Sequence, residues 1–252
     1  MTQGRVSIRR CIVVWDTRAA GPVNYNMCRF LLVRSKEKIK PEEMLTRFAT
    51  MCEKGQAPDG DWQGDGWGIT VRIQNSELRI KNWDVYKSLK PIWKEINTFS
   101  KFPETNVFAV HARSAGFPQH RGNIEYNQPY ISDDLCFVFN GMIKGVNIQR
   151  TLEGKIGAQK IFSLIRQEQK DKSIAEALRI VDKLILNNSK KILGMNIGIV
   201  RDDKFYILCE YDTNPAYFRI RYYQDDVISI VCSEPIGSYD WEMMRKGEVL
   251  VL

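Results

Sequence analysis

Cys28, in the run Met27-Cys28-Arg29-Phe30-Leu31-Leu32, directly follows an internal methionine. If the chain begins at Cys28 once Met27 is gone, one residue carries both a thiol nucleophile and a free α-amine. An α-amine has a pKa of roughly 7.7–8 and takes up protons near neutrality. That pair can attack an amide carbonyl and form a thioester, which divides one hard step into two easier ones. No histidine base is required, which suits a chain whose only histidines are His111 and His120. Read from its neighbours alone, Cys28 is more simply an inert strand cysteine. The chemistry also needs fixed oxyanion donors and a clamp for the substrate.

Residues of those types follow in order. Gly64-Asp65-Gly66-Trp67-Gly68-Ile69 comes first, then Val110-His111-Ala112-Arg113 with Gly116 close behind, then Phe139-Asn140-Gly141 at the end of an apolar run. Asn127-Gln128-Pro129-Tyr130 and Cys232-Ser233-Glu234-Pro235-Ile236 complete the set. Each is weak alone; Asn-Gly is a common turn dipeptide. Together they resemble the class II glutamine amidotransferases, members of the N-terminal-nucleophile hydrolases, and most of all the stand-alone domains of that class. The resemblance spans residues 28–252. It implies a four-layer αββα sandwich of two antiparallel sheets. It also implies hydrolysis of an amide, glutamine first, to glutamate and ammonia through a Cys28 thioester.

By the same resemblance, Asn140 supplies its side-chain amide and Gly141 its backbone N–H to an oxyanion hole. Such donors are typically worth ~3–4 kcal/mol each. Arg113 matches the arginine that grips the substrate carboxylate, for which a planar guanidinium fork is better suited than lysine. His111, Trp67 and Gly68 are grouped with the substrate site. His111 is read mainly as a strand end that supports the site by hydrogen bonding. Gly66, Trp67 and Gly68 are read as shaping the loop and strand below the cysteine. A histidine often stands in the family where this chain has Gln128. Ser233 and Glu234 fit a terminal strand motif that closes the sandwich.

The match breaks at one place. Family members carry an aspartate at a helix start, where it contacts the α-amino group of glutamine. The corresponding stretch here is Ile156-Gly157-Ala158-Gln159, with Gly157 at the aspartate position. Three readings follow: another acid (Asp133, Asp134 or Glu153) reaches the amino group, the substrate lacks a free α-amine, or glutaminase activity is lost. The implied alternatives to a glutaminase are a γ-glutamyl peptide or other amide hydrolase, and a catalytically silent ligand-binding module. No cofactor is implied. Full amidotransferases fuse this domain to a synthase domain, for which nothing is left over here, so the resemblance implies either a separate synthase subunit that receives the ammonia or a free-standing amidase.

These residues must be held by surrounding elements. Residues 29–33 read as a first strand. Pro41-Glu42-Glu43 opens a helix whose apolar face is Met44, Leu45, Phe48 and Met51. Residues 55–66, rich in Gly, Pro and Asp, read as a loop. Residues 67–73 alternate as a strand with 77–82 as hairpin partner, and 87–99 read as a helix. Residues 107–111 and 135–139 are short apolar strands. Residues 158–166 and 173–186 are amphipathic helices, the second opened by a Ser173/Glu176 capping box. Then come strands over 195–200, 205–210, 216–223, 227–233 and 248–252. Strands, then helices, then strands favour an α+β architecture over a regular βαβ alternation.

Composition narrows the class. The 252 residues are 44% hydrophobic and 27% charged, as in a globular protein with one sizeable core. No apolar run approaches the ~20 residues of a membrane helix. The net charge of +7 comes without a basic stripe interleaved with aromatics, which argues against nucleic acid as partner. The six cysteines form no Cys-x-x-Cys pair, and with two histidines they do not suggest a metal site. Cys136, Cys209 and Cys232 lie in apolar strand-like runs, as expected in a reducing cytoplasm. Residues 1–27 are read as a mis-assigned start ahead of Met27 or as a propeptide, because the apolar stretch after Arg9-Arg10 is too short for a signal peptide and Asp16 interrupts it.

Overall fold

A computed structural model describes residues 13–15, 27–55, 60, 62–75 and 80–252. In chain order the elements are β1 Val13–Trp15, β2 Arg29–Ile39, α1 Glu42–Lys54, β3 Trp67–Asn75, β4 Ile80–Ser88, β5 Thr105–Ala112, β6 Tyr130–Ser132, β7 Leu135–Lys144 and β8 Val146–Ile148. There follow α2 Gly157–Glu168, α3 Ile174–Asn187, β9 Lys191–Arg201, β10 Lys204–Cys209, α4 Pro215–Phe218, β11 Arg221–Gln224, β12 Ile228–Cys232, β13 Glu242–Met243 and β14 Glu248–Val251. Seven strands form one antiparallel sheet in the order β13-β11-β12-β2-β5-β3-β4, and five form a second in the order β14-β10-β9-β7-β6. Separately, β1 pairs with β8, Val13 opposite Ile148.

Strand alternation sorts side chains into three layers of core. Phe30 and Leu32 of β2, with Ala109 of β5, meet Val138, Val200 and Ile207 of the other sheet. The intervening Leu31 and Val33 face the opposite way, onto Leu45 and Phe48 of α1. On the outer face of the five-stranded sheet, Phe137, Ile197 and Ile199 pack against Ile161 and Ile165 of α2 and Leu178 of α3. The molecule is therefore the αββα sandwich expected from the motifs. Each fully buried Leu, Ile or Phe contributes about 1.5–3 kcal/mol, so both faces of both sheets hold the frame.

Local signals account for several boundaries. Glu42 and Glu43 in the first turn of α1 and Lys54 in the last complement the helix dipole, and Gly55 N–H closes on Met51 O. Ser173 Oγ accepts from Glu176 N at 3.3 Å while Glu176 Oε2 accepts from Ser173 N at 3.0 Å, the reciprocal cap that starts α3. Asp202 and Asp203 take positive φ of 48° and 59° between β9 and β10, which lets two residues turn the hairpin.

Other expectations are corrected. The stretch 87–99 is not an α-helix: Lys87 pairs with Gly68 as part of β4, and after Pro91 the chain makes two 3-10 segments, Ile92–Lys94 and Ile96–Lys101. Proline, lacking an N–H, separates strand from helical turns. The partner of β3 is β4, reaching Ser88; residues 77–79 of the expected partner lie outside the described residues. Residues 216–223 are not one strand, because Asn214 in a left-handed conformation (φ 55°) and Pro215 start the short α4 before β11. Finally, β7 continues through Lys144, so Asn140-Gly141 lies inside a strand, opposite Asn196 and Met195, rather than in a turn.

Candidate active site

Cys28 stands immediately before β2, whose neighbours in the seven-stranded sheet are β12 and β5. The residue before it is firmly placed. Met27 is fully buried between the sheets, and its carbonyl accepts from Nε2 of the buried Gln63 at 3.1 Å. Gln63 Oε1 has no partner among the described residues. On the other side, the Cys28 carbonyl accepts from Arg29 Nη1 at 3.2 Å. Arg29 is itself fully buried, ion-paired with Glu234 and stacked 3.9 Å from the Tyr217 ring centroid. Ser233 Oγ accepts from Phe30 N at 3.0 Å. The Ser233-Glu234 motif thus ties down the first two residues of β2.

The Cys28 thiol donates to Ser114 O at 3.5 Å. Burial pushes it up to about 11; the Ser114 hydrogen bond and the Arg113 charge offset this only in part. With its nitrogen acylated by Met27, Cys28 is a protonated thiol at neutral pH.

The glycine-rich motif laces the next segment into place. Arg113 N donates to Gly66 O at 2.8 Å and Asp65 N to Arg113 O at 3.0 Å, extending the β3–β5 ladder past both strand ends. Asp65 Oδ2 accepts from Ala115 N at 2.7 Å, and its Oδ1 lies 3.2 Å from Arg121 Nε. Gly66 has φ 119°, and a Cβ there would lie 2.3 Å from Asn127 Nδ2; at Gly68 it would meet Gln128 O at 2.4 Å. Both glycines are needed so that the loop of Asn127 and Gln128 can close over β3.

That loop carries a cis Gln128–Pro129 bond. Its two polar side chains act on either side of the site. Asn127 donates to Ser88 O at 2.7 Å and offers Oδ1 to Arg113 Nη1 at 3.4 Å. Gln128 accepts from Phe139 N at 2.6 Å and donates to Phe139 O at 3.3 Å. His111 Nε2 donates to the same carbonyl at 3.0 Å. Burial pulls the His111 ring down to about 3, so it is a neutral imidazole. Where β6 has ended, these side chains substitute for a ladder strand and set the peptide that precedes Asn140-Gly141.

One cleft of about 120 Å³ is lined by Cys28, Arg113, Tyr126, Gly141 and Gly157, among others. It brings together three of the expected residues, Cys28, Arg113 and Gly141. Arg113 is 4% exposed and donates from Nη2 to His120 O at 2.6 Å. Asn140 does not line the cleft; it is fully buried, and neither its Nδ2 nor its Oδ1 has a partner among the described residues. A buried unpaired polar group costs about 1–3 kcal/mol, so a strand that retains this amide holds it at a cost.

Trp67 and His111 also stand away from the cleft. Trp67 faces α1 on the far side of the sheet, with Nε1 donating to Glu95 Oε2 at 2.9 Å and its ring against Tyr86, Phe99 and Phe102. Strand alternation sends residue 67, expected near the substrate, to the outer core with Leu45 and Phe48. Ser114, Gln63 and Tyr126 are the neighbours that the sequence did not single out. Only the adjacency of Ser114 to Arg113 hinted at one of them.

None of the acids considered for the Gly157 position lines the cleft. Asp134 pairs with Arg201 at 2.8 Å, Glu153 pairs with Arg166 at 3.0 Å, and Asp133 sits at a turn with φ 53°.

Over 89% of this chain and 94% of the other, the structure is similar to a glutamine aminotransferase class-II domain protein from Silicibacter pomeroyi, with a TM-score of 0.57 at 14% identity. It is also similar to glutamine phosphoribosylpyrophosphate amidotransferase from B. subtilis, with a TM-score of 0.61 at 14% identity over 89% of this chain and 47% of that one. The chain has the class II glutamine amidotransferase fold. Among curated sequences it is similar to the probable glutamine amidotransferase DUG3 of Saccharomyces cerevisiae, 25% identical over 171 residues. That alignment takes in 63% of this chain and 46% of the yeast protein, so the chain spans less than half of that relative. No family model matches the chain. Within this fold, the described residues contain no helix long and apolar enough to cross a membrane.

Proposed function

We propose that this chain is a cysteine-dependent N-terminal-nucleophile amidohydrolase, with glutamine the first substrate to test, acting once Cys28 has become the first residue. The observation that carries the reading is the convergence of Cys28, Arg113 and Gly141 on one cleft. The freed Cys28 amine takes the thiol proton, and sulfur attacks the amide carbon. The oxyanion is met by Gly141 N–H; Asn140, buried next to the cleft rather than lining it, is the second donor in this reading, and its unpartnered Nδ2 is what supports the role. The protonated amine then gives its proton to the departing nitrogen, and ammonia leaves behind a thioester. Water, deprotonated by the same amine, attacks the thioester; a carboxylate and the thiol are restored. Arg113 holds the substrate carboxylate throughout.

Residues 1–27 are, in this reading, a segment ahead of the true start or a propeptide; apart from 13–15 and 27 they lie outside the described residues. Ammonia passes to a separate synthase subunit or is released. The buried, unpaired Cys52, Cys136, Cys209 and Cys232 suit a reducing cytoplasm. The buried Met27, held by Gln63, favours a second reading: if that peptide bond stays intact, the cleft serves as a ligand-binding module without turnover.

The test combines N-terminal sequencing of native protein with an ammonia-release assay on glutamine and a γ-glutamyl amide. Material beginning at Cys28 should release ammonia, and Cys28→Ala should lose at least about 10³-fold in kcat. Equal release by the two proteins would reject the cysteine mechanism.

A further inference from the structure

Among the described residues that line the cleft, Arg113 carries the one formal charge; Asp65, whose charge also acts on Cys28, is held outside the lining by Ala115 N and Arg121. Arg113 is buried, and the acceptors of its guanidinium, His120 O and Asn127 Oδ1, are neutral. The first turn of α2 contributes Ile156, Gly157 and Ala158 to the same wall and contains no acidic residue. The first N–H groups of a helix lack intrahelical acceptors and carry partial positive charge. Among the described residues, no carboxylate lines the cleft. The rest of the wall mixes the apolar Phe117, Ile143 and Ile161 with the uncharged polar Ser114, Tyr126 and Gln128. An anion is doubly favoured in such a cavity. An ammonium group would lose water and meet two positive ends without an anionic partner.

Resting on the amidohydrolase reading, we infer that the preferred substrate is the ω-amide of a carboxylic acid that carries no charged amine. The class comprises N-acylated glutamine, whose acyl group suits the isoleucine wall, and glutaramate-type mono-amides. Gly157 is the specificity-determining position. It begins α2 without a positive φ, so an aspartate fits the backbone and complements the helix dipole.

Protein beginning at Cys28 is assayed for ammonia release from glutamine, N-acetylglutamine and glutaramate, each alone. At least one amine-free amide should exceed glutamine about 10-fold or more in kcat/KM. Which of the two leads tells acylated from deaminated substrates. Gly157→Asp should raise kcat/KM for glutamine about 10-fold and lower that for glutaramate. Glutamine hydrolysed as well as the amine-free amides by the wild type would overturn the inference while sustaining the amidohydrolase. Silence on all three amides, with Cys28 unlabelled by a glutamine-like electrophile, would remove the amidohydrolase reading and this inference together.

Discussion

The reactivity of Cys28 turns on what its nitrogen is bonded to. While Met27 remains attached, burial keeps the thiol up at about 11, and the only base of the proposed mechanism is tied up as an amide. The uncut chain should therefore alkylate slowly with iodoacetamide at pH 7.5. Its reaction rate should climb with pH toward about 11, because the thiolate forms only as the proton is lost. A chain beginning at Cys28 should react at least about 10-fold faster at pH 7.5, read by peptide mass mapping. Equal labelling of both forms would show that the free amine does not activate this thiol. His111, drawn down to about 3 and already bonded to Phe139 O, should contribute no limb to the pH profile of activity in the range of an ordinary histidine.

The strand β7 does two jobs, as an inner strand of its sheet, between β9 and β6, and as the carrier of Gly141. Its fit against β9 leaves no space: a Cβ at Gly141 would stand 2.1 Å from Gly194 O, a backbone atom that cannot turn aside. Gly141→Ala should cost roughly 1–3 kcal/mol and lower the melting temperature by about 2–12 °C. A variant that melts with the wild type would mean that β7 and β9 are not paired in this register. On α3, Asp182 carries another local conflict. Burial and the Glu210 charge push it up to about 6, against Lys183 and Lys246, and its Oδ1 has no partner among the described residues.

For the whole molecule, that raised carboxyl becomes a dependence of stability on pH. Between its ordinary value of 3.8 and about 6, Asp182 binds more proton folded than unfolded. Its contribution is full below that window and is lost as pH rises through it. Asp182→Asn should thus stabilise the protein at pH 7.5 and do so less at pH 4, measured as the difference in melting temperature from the wild type. A difference independent of pH would place the raised group elsewhere. The two sheets also explain why the site tolerates such costs. Three layers of core buried on both sides of each sheet hold Cys28, Arg113 and β7 in fixed relation, although Cys28 and Gly141 stand more than 100 residues apart in the chain.

Short-range chemistry was legible in the chain before any folding was known. The reciprocal Ser173/Glu176 cap, the acidic start of α1 and the Asp202-Asp203 turn depend on neighbours within a few residues, so composition and spacing reveal them. Cys28, Arg113 and the Asn140-Gly141 pair could be singled out because each motif is contiguous. What no spacing encodes is which way a strand presents its residues and what meets them across a sheet, since a one-residue change of register exchanges the two faces. Folding alone sent Trp67 to the α1 side, set Asn140-Gly141 within β7 instead of a turn, and placed Ser114 O beneath a thiol 86 residues away. It also put the uncharged start of α2 beside Arg113, where the balance of charge bears on the choice of amide.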